Sequence, residues 1–205
     1  MNRKKTRLPS RSEVAEVLQR IREYQPSRGP FSYVDRGRAV TEAHQLYNES
    51  FRLSKIYPVD SVLSEACTEA HRLWFTAIDN AYPRGFGEDV QRLRAGDPSG
   101  MEAAVSFLEA DPWFYRTGYI KSKLIRSIKA TLLTPEYVKR LQKVVLVLVD
   151  KRDDRDFRAY CRLALKVDSL ELREQLTQRL IHEDTNIQRR ARWVLEALGE
   201  KFPQG

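Results

Sequence analysis

Long apolar runs are missing from this 205-residue sequence, and so are the short signatures of common enzyme chemistry. No stretch approaches the ~20 apolar residues that cross a bilayer, and the basic segment Met1 to Arg11 is not followed by the apolar core of a secretory signal. A cytoplasmic location with no membrane partner is therefore expected. Cysteine is scarce: Cys67 and Cys161 lie far apart in amphipathic surroundings, where a thiol serves as a small apolar group rather than half of a disulfide. A glycine-rich phosphate loop, a Ser or Cys nucleophile with a placed base, and Cys/His zinc spacing are all lacking, and Gly85-Phe-Gly87 is only a turn signal. These absences favour a non-enzymatic protein with no cofactor and no structural metal.

What is present is a globular balance, 41% hydrophobic and 31% charged residues, with a net charge of +8. The charge is unevenly spread. Met1 to Pro112 holds 16 Lys/Arg and 16 Asp/Glu, whereas Trp113 to Gly205 holds 20 and 12. A basic second half points to an anionic partner: an acidic protein face, nucleic acid or a charged surface.

Apolar periodicity and capping residues predict an all-α chain. After a basic tail over 1–11, helices are expected over about Ser12 to Tyr24, Asp35 to Lys55 and Asp60 to Ala81, the last two forming an antiparallel hairpin around Tyr57-Pro58. Residues 82–112, with Pro83, Gly85, Gly87, Gly96, Pro98 and Gly100, read as a connector holding one helical turn near Val90 and a short helix from Ser99 to Ala110. Five more helices fit 113–198: Phe114 to Leu133, Pro135 to Val149, Asp153 to Val167, Ser169 to His182 and Thr185 to Leu198, before a tail over 199–205. The run Val144 to Val149 has strand-like composition but continues a helical stripe through Tyr137, Val138 and Leu141, so a well-buried helix is expected there.

Two internal repeats stand out. Phe157 to Leu165 aligns with Ile187 to Leu195 at an offset of 30, and Leu141, Val145 and Leu146 align with Leu176, Leu180 and Ile181 at an offset of 35. Helix pairs recurring at such a period bury their apolar faces by stacking on one another. Asp184-Thr-Asn-Ile-Gln-Arg-Arg-Ala-Arg-Trp-Val-Leu resembles the Asp, hydrophobic-x-Arg-x-Ala and apolar run of HEAT-type repeats. That resemblance spans about residues 114–198 and implies a short α-solenoid with a superhelical binding surface. The second repeat, Thr41-Glu-Ala-His-Gln-Leu-Tyr against Thr68-Glu-Ala-His-Arg-Leu-Trp, lies within the hairpin.

The hairpin brings His44 and His71 to the same height, with Glu42, Glu69 and Glu65 near that level. The spacing is Glu-x-His, which turns the two side chains about 200° apart, whereas di-metal bundles use Glu-x-x-His. Core packing of Leu46, Tyr47, Leu73 and Trp74, with the histidines hydrogen-bonding across the hairpin, is the simpler expectation; a metal or acid/base site is the alternative. Arg38 and His44 also have the R-x(4–6)-H form of HEPN-type ribonucleases, a resemblance that implies RNA processing.

Electrostatics supply the stronger pattern. Arg155, Arg158, Arg162 and Lys166 fall within an arc of about 80° opposite Phe157, Cys161 and Ala164 on one helical wheel. Lys123, Arg126 and Lys129 sit opposite Leu124, Ile125 and Ile128, and Arg189 and Arg192 follow on the last helix. The leading expectation is an interaction protein whose helical stack docks on a macromolecular, acidic protein partner. The alternative is a nucleic-acid binder, including the base-excising glycosylase type, with Asp111 beside the aromatics of Trp113 to Tyr119.

Overall fold

A computed structural model describes residues 8–26, 30–151 and 156–202. Among them are ten α-helices, one 3-10 turn and no strand. The chain divides into two compact units, one comprising Met1–Pro83 with Trp113–Tyr115 and the other Arg84–Pro112 with Arg116–Gly205.

In the first unit, α1 (Arg11–Glu23) starts in a capping box, with the Ser10 hydroxyl accepting from the Glu13 amide and the Glu13 carboxylate accepting from the Ser10 amide. α2 (Tyr33–Ile56) and α3 (Ser61–Asp79) form the expected hairpin, and Asp60 caps α3 by accepting from the Leu63 amide at 3.1 Å. α1 lies against both, and Val17 and Ile21 join Leu46, Leu53, Leu63 and Ala70 in a core. A second cluster gathers Val40, Ala43, Trp74, Ala77 and Ala81 around Phe114. Gly37 allows that approach, because a Cβ there would lie 3.1 Å from Phe114 Cδ1.

The hairpin repeat places equivalent residues in equivalent surroundings. Ala43 and Ala70 are both fully buried, the Thr41 and Thr68 hydroxyls each donate to the carbonyl four residues back, and Tyr47 stacks on Trp74.

The second unit begins earlier than the sequence implied. Where one helical turn was expected, α4 spans Phe86–Arg94, starting from Gly85 at φ 84° and burying Phe86 and Leu93. Glu88 and Asp89 in its first turn complement the helix dipole. The 3-10 turn Pro98–Gly100 packs so tightly on α4 that a Cβ at Gly100 would collide with the Asp89 carbonyl oxygen. Residues 84–112, read as part of a connector, therefore pack inside this unit.

The remaining helices are α5 (Met101–Ala110), α6 (Thr117–Ala130), α7 (Pro135–Lys151), α8 (Phe157–Ala164), α9 (Leu170–Arg179) and α10 (Thr185–Ala197). α6 starts at Thr117 rather than Phe114 because Asp111 and Arg116 both take left-handed conformations, φ 44° and 65°. α8 ends before Lys166, so that lysine occupies the following turn. α9 ends before Ile181, which is 87% exposed and does not share the half-buried setting of Leu146, its partner at an offset of 35. Leu165 is likewise 52% exposed while Leu195 is buried. The Val144 to Val149 run is helical as expected, with Val144, Val145, Leu148 and Val149 buried.

Alternate helices touch: α4 with α6, α6 with α8 and α8 with α10 along one row, and α5 with α7 and α7 with α9 along another. Polar clamps act both within a row and between the rows. Arg140 on α7 reaches Glu102 at 2.6 Å and Glu109 at 2.7 Å on α5. The buried Arg190 of α10 donates to the Val149 carbonyl near the end of α7.

Candidate functional site

The two histidines face an aromatic cluster instead of a ligand set. His44 stacks on Trp74 with ring centroids 4.4 Å apart, and His71 lies 5.0 Å from Tyr47 and 4.6 Å from Phe75. Tyr115 completes the cluster, 4.9 Å from Trp74. Where hydrogen bonds across the hairpin were expected, both imidazoles pack on Trp74, with His71 edge-on at 6.2 Å. Glu69 is engaged by Arg72 at 2.6 Å, which holds its carboxyl below the usual range, while Glu42 and Glu65 are exposed. Among the described residues no group of three His, Cys, Asp or Glu side chains is placed to hold a metal ion. Arg38 is paired with Asp35 at 3.7 Å, on the helix that carries His44.

In the second unit the fully buried Lys121 contacts Asp111 at 2.6 Å, with the Asp111 side chain 14% exposed. The signal for this pair in the sequence is that Lys121 lies on the same stripe as Leu124, Ile125 and Ile128, where an ammonium is stable only if paired. Asp111, considered above as a carboxylate beside aromatics, is thus committed to an internal ion pair. Trp113 to Tyr115 belong to the other unit.

The basic ridges converge in part. A cleft of about 310 Å³ between α6 and α8 is lined by Ser122, Ile125, Arg126, Lys129, Arg158, Ala159 and Arg162. Four of these seven side chains are cationic and none is acidic. Arg126, Arg158 and Arg162 are exposed and Lys129 is half-buried, and none of the four is drawn into an ion pair among the described residues. The helices hold them there because Leu124, Ile125 and Ile128 on α6 and Phe157, Tyr160, Leu163 and Ala164 on α8 are buried, which turns the opposite arcs outward.

Burial pushes the Cys161 thiol up to about 11 despite the opposing pull of Arg158 and Arg162, so it is a poor nucleophile beside this cleft. Lys123 is exposed on α6 outside the cleft lining. On α10, Arg189 lies over Trp193 at 5.1 Å and Arg192 over Phe202 at 5.5 Å. Arg155 lies outside the described residues.

No family model, no curated protein and no solved structure matches this chain. Among the described residues no helix is long and apolar enough to cross a membrane.

Proposed function

We propose that the chain is a non-enzymatic, HEAT-like helical-repeat protein that docks on an anionic macromolecular partner through the basic row of its second unit. The observation that carries this reading is the α6/α8 cleft, where Arg126, Lys129, Arg158 and Arg162 converge without a described carboxylate to neutralise them. Cations held close together repel one another, and an anionic partner relieves that repulsion. The repeat reading is supported by the contacts between alternate helices and by the 30-residue offset, which pairs buried Phe157 with buried Ile187 and buried Ala164 with buried Val194.

The second unit carries the docking role, and the aromatic hairpin of the first contributes structure. Retention on an immobilised polyanion at about 50 mM salt tests the proposal. Wild type is retained, and the double variant Arg126→Gln/Arg158→Gln, altered only at exposed positions, elutes at lower salt. Identical elution of the two proteins removes the cleft from the account.

A further inference from the structure

Resting on that reading, we infer that the α6/α8 cleft is a backbone-binding site for a nucleic-acid duplex. The chemistry of the lining favours phosphodiester over an acidic protein face. Protein interfaces are built around a desolvated apolar centre with aromatic anchors. Here the apolar lining among the described residues is Ile125, which is 2% exposed, and the small Ala159. The exposed large apolar residues of this unit, such as Leu132, Leu170 and Ile181, lie elsewhere. Three of the four cations are arginines, whose planar forks engage phosphate oxygens bidentately.

The same lining favours a duplex over a single strand. Single-strand sites depend on aromatic rings that stack on bases, and among the described residues no ring lines this cleft. Its cations match phosphate oxygens, the groups that position most protein contacts on a duplex. Packed helices lie about 8–10 Å apart. A duplex presents one charge per ~1.7 Å of axis, twice the density of a single strand, and so delivers several phosphates to cations placed on neighbouring helices. Further cations, Arg189 and Arg192, stand on α10, which touches α8 and extends the row.

Fluorescence anisotropy of the full-length protein with a labelled 20-base-pair DNA duplex, the corresponding single strand and poly-glutamate competitor tests this. Expected is duplex binding tighter than single-strand binding, an affinity loss of about 100-fold between 50 and 200 mM salt for four phosphate contacts, and little displacement by poly-glutamate at equal charge. Arg126→Gln/Arg158→Gln weakens binding at least tenfold. A control with the same charge change on α7, Lys139→Gln/Lys143→Gln, weakens it less.

Tighter binding of the single strand, or efficient displacement by poly-glutamate, overturns the duplex inference and leaves the anionic-partner reading standing. Equal losses in the two double variants show that net charge, not the cleft, drives binding, which also overturns the inference. No binding of any polyanion at 50 mM salt overturns both.

Discussion

At the scale of single residues, the ion pair between Lys121 and Asp111 joins a fully buried lysine to a largely buried carboxylate. Lys121 is fully buried, so neutralising Asp111 weakens the compensation of a desolvated ammonium. Asp111→Asn isolates this effect because asparagine tolerates the left-handed backbone at φ 44°. A loss of about 1–3 kcal/mol is expected in denaturant titrations; an unchanged stability contradicts the assignment. Gly100 is a second sensitive position, for steric reasons alone. Its backbone is ordinary, but a methyl group meets the Asp89 carbonyl, so Gly100→Ala is expected to cost about 1–3 kcal/mol and lower the melting temperature. These two residues also mark what the sequence left hidden. Lys121 was readable as a lysine on an apolar stripe, whereas nothing local to Gly100 shows that Asp89 lies against it.

At the scale of elements, most helices were legible because capping residues and apolar spacing are local properties. Asp60, Ser169 and Asp184 each cap the helix that follows, whereas α1 is capped by Ser10, two residues before its expected start at Ser12. α4 was underestimated because the glycines and prolines around it dominate the segment, although Phe86 and Leu93 lie two turns apart on one face. The clamp between α5 and α7 was not legible, since Arg140 meets Glu102 and Glu109 only after both helices have packed. Arg140 and the Ser106 hydroxyl hold the Glu102 carboxyl down to about 2, against an ordinary value near 4.5. The clamp therefore contributes stability fully above about pH 4.5 and loses it as pH falls toward 2. Glu102 is 59% exposed, so solvent screens much of the effect. Arg140→Met is expected to melt lower than wild type at pH 6, with the gap narrowing at pH 3; an unchanged gap means that the clamp is not the source.

At the scale of the whole molecule, the excess of positive charge in the second half was legible from a count, but its convergence was not. Arg126 and Arg158 lie 32 positions apart, and only the contact between α6 and α8 brings them to one cleft. The ridges were read as continuous with Lys166 and Arg155; in the structure Lys166 follows the end of α8, and the cleft is made by four described cations. The histidine pair shows the converse. Its shared height was an expectation from hairpin arithmetic, whereas the contacts of both imidazoles with Trp74 emerge only from the packing. The most direct test of the account is the dependence of duplex affinity on salt, measured for wild type and for each of Arg126→Gln, Lys129→Gln, Arg158→Gln and Arg162→Gln. Four phosphate contacts predict a wild-type slope of log affinity against log salt near −3.6, reduced by about one in each variant. A slope unchanged by all four substitutions would contradict the cleft as the binding surface.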